Sequence, residues 1–262
     1  MTGFEGTTAI VTGGATLIGA AIVRAFAEAG AQVVVLDIDE PGGTALAGEL
    51  GEAVTFHHVD ITDDAALARV RDTLAAGPGK VDALVNLACS YVDDGSKSTR
   101  ADWRQSLDVN VIGTALVTTT LLPLLTASDR PAVVNFTSIS GRVAQAGRWL
   151  YPAGKAAVAQ LTRSMALDLA ADSIRVNSVC PGWTWSAVMD RLSGGDREKT
   201  DRVAAPLHPL GRAGDPAEIA AAVLFLCSPA ASFVTGADLA VDGGYSAIGP
   251  ERGEILIPQL AE

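Results

Sequence analysis

The 262-residue chain predicts an α/β fold: one doubly wound domain, a mostly parallel seven-stranded sheet with helices on both faces. Three observations support it. Short apolar runs alternate with helix-forming segments, and right-handed crossovers between such strands cover both faces of a sheet. Hydrophobic residues make up 48% of the sequence, enough for a sheet buried on both sides. Asp37, Asp60, Asn86 and Ser138 each fall at the C-terminal end of a predicted strand, the edge where open α/β sheets bind ligands. No linker, low-complexity tract or repeat beyond this alternation appears, so 1–262 reads as a single domain.

Residues 8–11 form a short apolar strand that runs into the turn Thr12-Gly13-Gly14-Ala15-Thr16-Leu17-Ile18-Gly19. Residues 20–30 are rich in helix formers and close on Gly30. A second buried strand, 32–36, ends at Asp37. Strand, glycine-bearing turn, helix, strand and acid follow the logic of a dinucleotide site. Glycines admit the pyrophosphate to the backbone, the helix N-terminus attracts its charge, and the acid accepts from the ribose diol. Ile38 follows Asp37, and no Arg or Lys lies between Gly13 and Gly19. A carboxylate there favours a free 2′-hydroxyl and repels a 2′-phosphate, which predicts NAD over NADP.

A third strand, 54–59, ends at Asp60-Ile61, and 63–76 reads as a helix capped by Thr62. The fourth strand, 81–85, leads into Asn86-Leu87-Ala88-Cys89. A long helical segment covers about 103–125 and carries Asn110 in its middle. The apolar run 132–137 is a strand that stops at Ser138; a helix from Tyr151 to about 171 and a strand over 174–179 follow. Pro181-Gly182 breaks that strand, and 183–209 is irregular. Its Trp183, Trp185, Val188, Met189 and Leu192 suggest a substrate loop over about 183–210. Asp215 and Pro216 start a further helix, and 237–241 is the last strand.

Tyr151 and Lys155 face the same side of a helix, one turn apart. A neighbouring ammonium favours the phenolate, and with Ser138 such a group can exchange a proton with an alcohol or carbonyl oxygen.

The formal net charge of −11 without a basic stripe argues against nucleic acid and anionic membranes as partners. No apolar run reaches the roughly 18 residues of a membrane span. The acidic N-terminus shows no secretory signal, and Cys89, Cys180 and Cys227 form neither a disulfide framework nor a metal pair, which suits a cytoplasmic protein. His57 and His58, adjacent in a strand, point to opposite faces and make poor joint ligands, so no metal is expected.

Taken together, Thr12-Gly13 through Gly19, Asp60, Asn86-x-Ala88, Asn110, Ser138, Tyr151-x-x-x-Lys155 and Pro181-Gly182 resemble the classical short-chain dehydrogenase/reductase family over essentially the whole chain. The resemblance implies a Rossmann-like domain, a nicotinamide cofactor and a homotetramer. Tyr151 would be the general acid/base, Lys155 would lower its pKa and hold the ribose, Ser138 would bind the substrate oxygen, and Asn110 would anchor a proton-relay water. Gly13, Ile18, Gly19, Asp37, Ile38, Asp60, Ile61, Asn86, Ala88, Pro181, Gly182, Thr184 and Ser186 would line the cofactor. Leu17 replaces the family's middle glycine, a Cβ that crowds the pyrophosphate, and Leu87 and Cys89 replace an amide and a glycine.

The apolar side chains of the loop, with Tyr91 and Val92, point to an apolar, cyclic or aromatic secondary alcohol and its ketone. Trp183, Trp185, Met189 and Arg148 are candidate substrate contacts, Arg148 either a receptor for an anion or a surface arginine. Two alternatives stand beside this reading: a reductase of a carrier-bound 3-oxoacyl chain, and a non-catalytic NAD-binding regulatory module. The apolar tail 254–258 suggests a partner surface.

Overall fold

The structure is a computed structural model that describes residues 3–249; the tail 254–258 lies outside them. Seven strands form one sheet: β1 (Thr8–Thr12), β2 (Gln32–Asp37), β3 (Val54–His58), β4 (Ala83–Asn86), β5 (Ala132–Phe136), β6 (Arg175–Pro181) and β7 (Asp238–Val241). Their spatial order is β3-β2-β1-β4-β5-β6-β7, and every pairing is parallel. β1 and β5 are buried at every position, so their Ala, Ile and Val residues read as continuous apolar runs, as parallel strands covered on both faces must. The order reverses between β1 and β4, which opens a crevice at their C-terminal ends.

The helices are α1 (Leu17–Glu28), α2 (Glu40–Leu50), α3 (Asp64–Ala76), α4 (Arg100–Leu107), α5 (Thr114–Thr126), α6 (Leu150–Asp168), α7 (Ala187–Ser193), α8 (Arg197–Ala204) and α9 (Pro216–Cys227). Strand alternation divides the core in two. On one face Val11, Val35, Val85 and Val134 pack with Ile22 and Phe26 of α1 and Val223 of α9. On the other, Ile10, Leu36, Leu84 and Val133 pack with Val117, Leu121 and Leu125 of α5. Each such side chain contributes about 1.5–3 kcal/mol by leaving water.

Three local expectations change. Asp63, not Thr62, caps α3: its carboxylate accepts from Ala66 N–H at 3.0 Å, while Thr62 donates through N–H and hydroxyl to Asp60 Oδ1. The long helix is α4 and α5 joined through a π-turn at Asp108–Gly113 that contains Asn110. By length and composition Arg100–Thr126 would pass for a membrane span, but Val117, Leu121, Leu124 and Leu125 from it pack into the second core. The stretch after Gly182 is not irregular: it folds into α7 and α8. Ser186 caps α7 through Met189 N–H, Asp196 caps α8 through Lys199 N–H at 2.8 Å, and Gly194 in the left-handed region separates them.

Candidate active site

The glycine turn is built on two close approaches. Gly13 has φ +70°, and a Cβ there would lie 2.9 Å from Ala88 Cα. A methyl on Gly19 would press into the Gly13 carbonyl oxygen and come within 2.7 Å of Gly14 Cα, so α1 rises directly off the turn. Thr16 caps α1, accepting from Gly19 N–H at 3.1 Å. Leu17 and Ile18 N–H find no acceptor among the described residues, which leaves them for an anion at the helix N-terminus. Leu17 has no positive φ to require glycine and is 42% exposed. It therefore leaves the turn in shape, with its side chain partly in solvent.

Asp37 ties strand to turn. Its Oδ2 accepts from Ala15 N–H at 2.9 Å and its Oδ1 from Asp39 N–H at 3.0 Å, with lone pairs remaining for a ribose diol. Ile38 beside it is exposed, as is Asp60, while Ile61 is buried. Thr12 does a job the sequence did not signal: its Oγ1 accepts from both Leu87 and Ala88 N–H at 3.1 Å, holding the exit of β4 against β1. Glycine turn, open N–H groups, carboxylate at the end of β2 and crevice at the strand reversal fit a dinucleotide.

The side chain of Asn86 does not join this surface. It is 4% exposed and points under the sheet, donating to Thr118 Oγ1 at 3.0 Å and Asn135 Oδ1 at 2.9 Å. It shares the face of Leu84, two residues before it in β4, which makes it part of the α5 side of the core.

The reactive side chains meet at the start of α6. Tyr151 lies in its first turn and Lys155 one turn on, its Nζ 5.5 Å from the Tyr151 ring centroid and donating to the Phe136 carbonyl at 2.8 Å. Ser138, two residues past β5, completes the group. Tyr151 is 8% exposed. Burial first, then Tyr91 and Cys89, push its phenol well above the usual tyrosine range; the Ser138 hydroxyl and Arg148 pull it down by less. Lys155 is not among these causes: its ammonium donates to the Phe136 carbonyl, and dehydration of the ring dominates. Asn110 accepts from Ser90 N–H at 2.7 Å and donates to Ser90 O at 2.9 Å, fixing the loop that carries Tyr91.

Two supports escaped the sequence reading. Trp149 stands at the N-cap of α6 with no capping side chain, so the helix takes its acceptor from outside: Asp93 accepts from Trp149 N–H at 2.9 Å and Tyr151 N–H at 3.0 Å. His208, remote in sequence, donates from Nδ1 to Ala204 O at 3.0 Å and accepts through Nε2 from Trp183 N–H at 3.2 Å. It couples the end of α8 to the turn after β6.

Ser138, Tyr151, Lys155, Pro181, Gly182, Trp183, Thr184 and Ser186 surround one cavity of about 570 Å³, closed above by Val188, Met189 and Leu192 of α7, with Arg148 in its wall. Trp185 is not brought there. Its main-chain N–H donates to Gly214 O at 3.0 Å, and Arg197 of α8 lies over its ring at 5.4 Å.

The sequence profile of the family described as enoyl-(acyl carrier protein) reductase, a branch of the short-chain dehydrogenase/reductases, matches residues 13–246. The chain is 40% identical over 246 residues to cis-4-hydroxycyclohexanecarboxylate dehydrogenase of Sinomonas cyclohexanicum, covering 92% of this chain and 96% of that one. The chain belongs to the short-chain dehydrogenase/reductase family. L-fucose dehydrogenase of Mus musculus is 39% identical over 248 residues, with 93% and 90% of the two chains covered. The aldohexose dehydrogenase of Thermoplasma acidophilum, solved free of ligand, superposes with a TM-score of 0.86 at 31% identity, covering 94% of this chain and 96% of that one. Short-chain dehydrogenases work with a nicotinamide cofactor, and the cradle between Gly13 and Asp37 is where this member offers to hold one.

Proposed function

We propose that this short-chain dehydrogenase/reductase is an NAD-dependent dehydrogenase that interconverts a secondary alcohol, on an apolar cyclic or aromatic framework, and its ketone. The observation that carries the reading is the convergence of Ser138, Tyr151 and Lys155 on one cavity roofed by Val188, Met189 and Leu192. The ring-shaped substrates in the names of the cyclohexane and L-fucose relatives support a cyclic alcohol. Asp37 supports NAD, since its carboxylate would repel a 2′-phosphate.

When bound, the nicotinamide supplies the hydride acceptor and, oxidised, a positive charge that favours the phenolate. The chain's part is the proton. Tyr151 Oη takes it from the carbinol oxygen, while Ser138 Oγ donates a hydrogen bond to that oxygen. Lys155 Nζ, fixed by the Phe136 carbonyl, would hold the nicotinamide ribose and stabilise the charge on Tyr151 Oη; Asn110 would anchor the relay water. The open N–H groups of Leu17 and Ile18 would receive the pyrophosphate over the turn between Gly13 and Gly19, Asp37 would take the ribose diol, and Asp60 and Ile61 would flank the adenine.

The test is absorbance at the NADH band with a panel of cyclic and aromatic secondary alcohols. Turnover that Tyr151→Phe lowers by roughly 10²–10⁴-fold, with NADH binding retained, supports the reading. NADH binding without turnover of any alcohol or ketone leaves only a binding module.

Exposed Ile112 and Leu116 on the outer side of the α4–α5 helix support a homotetramer built on that face. A monomer in sedimentation at micromolar concentration would exclude it.

A further inference from the structure

Arg148 stands apart from the other arginines. Those of similar half-burial, Arg24, Arg71, Arg175 and Arg197, all donate to a carboxylate or carbonyl. Among the described residues the Arg148 guanidinium has no acceptor, although it sits in the wall of the substrate cavity. It lies over the Tyr151 ring, 4.9 Å from the centroid. A guanidinium held over a ring in this way still has N–H donors free for a planar acceptor.

The surroundings favour an anion. Among the described residues Asp93 is the one carboxylate lining the inner cavity, and its oxygens already accept from Gly95, Trp149 and Tyr151 N–H. Arg148 also lines the adjoining outer cavity of about 610 Å³, where Lys199 joins it and no acid is present among the described residues. Arg191 of the lid adds a third cation to the inner cavity. In a chain of net charge −11, these cations gather along the two adjoining cavities.

We propose that the alcohol substrate carries a carboxylate and that Arg148 receives it, so that the enzyme acts on a cyclic hydroxy acid. This rests on the dehydrogenase reading above. Arg148 then selects substrate: its in-plane donors hold the carboxylate while Ser138 and Tyr151 hold the carbinol oxygen, giving the ring two fixed points.

The test compares 3- and 4-hydroxycyclohexanecarboxylate, their methyl esters and cyclohexanol as substrates of the wild type and of Arg148→Gln. The wild type is expected to prefer an acid to its ester. The substitution should lower kcat/KM for the acid at least about tenfold more than for the ester, mainly through KM, as loss of a charge-assisted hydrogen bond requires. Equal falls for acid and ester would make Arg148 a prop for the Tyr151 ring and overturn the inference. A second arm measures binding of cyclohexanecarboxylate to the NADH-loaded protein by calorimetry. If no alcohol is turned over, the dehydrogenase reading fails by itself. Binding that Arg148→Gln abolishes would then still uphold the anion site, and no binding to the wild type would remove it.

Discussion

The Tyr91 ring lies stacked on that of Tyr151, centroids 5.1 Å apart and planes inclined by 21°. Tyr91 is thus part of the dry surroundings that hold the Tyr151 phenol above its usual range. Alcohol oxidation needs the phenolate, so its kcat/KM should rise with pH through neutrality; ketone reduction needs the phenol and should stay level there. Tyr91→Ala admits water to the ring, lowers the Tyr151 pKa, and should move the rising limb of oxidation to lower pH. A profile unchanged by the substitution would show that the stack does not govern proton transfer.

Asp37 has two tasks, and a substitution separates them. Asp37→Asn keeps one acceptor but loses the charge, so kcat/KM with NADP relative to NAD should rise at least about tenfold, as one like-charge repulsion is removed. Because Asp37 also holds Ala15 and Asp39 N–H, the variant should unfold about 1–3 kcal/mol more easily in urea. A ratio that stays put would mean the acid does not face the ribose.

Asn135 bridges α6 to the centre of the sheet, accepting from Asn86 and donating to Thr162 Oγ1 at 3.0 Å. Asn86 Oδ1 already lacks a partner among the described residues. Asn135→Leu would strand an Asn86 donor too, at about 1–3 kcal/mol, whereas Asn86→Leu strands the Asn135 Oδ1 acceptor but removes the unpartnered Oδ1 of Asn86, and should cost less. Urea midpoints of the two variants and their double mutant measure this, and equal losses would contradict the ranking.

Glu218 closes the capping box of α9, accepting from Arg212 and from Asp215 N–H at 2.7 Å. The Arg212 guanidinium, then the Asp215 amide, hold its carboxyl down at about 2. A depressed carboxyl stabilises the fold fully above its unfolded pKa, about 4.3, and loses that contribution as pH falls toward 2. The Tm gap between wild type and Glu218→Gln should therefore be constant from pH 7 to 5 and narrow from pH 4 to 3. A gap that widens in acid would refute the assignment. The pair is exposed, so the gap should be small.

Much of this was legible in the chain. The strands stand out because buried parallel strands are unbroken apolar runs, and Tyr151, Lys155 and Ser138 stand out because their elements place them at the same sheet edge. The lid was harder to read: α7 and α8 are too short for apolar periodicity to emerge, and only the caps Ser186 and Asp196 mark them. Trp185 was misplaced because its direction depends on a bridge between Thr184 and Gly214, a contact across 30 residues of chain. Asn86 could have been placed by counting, since alternation puts it on the face of Leu84. Asp93 and His208 act through main-chain groups brought near only by folding, and leave no motif.

The strand order has a consequence for how the protein is made. β1 to β4 end at residue 86 and pair among themselves, whereas β5, β6 and β7 add successively to one free edge. A chain leaving the ribosome N-terminus first can close the nucleotide cradle before Tyr151 has been synthesised. Each later strand then docks on a template instead of searching for a partner. Assembly runs from cradle to chemistry, and a translation arrest between the two would leave a half-sheet with the edge of β4 unpaired and open to aggregation.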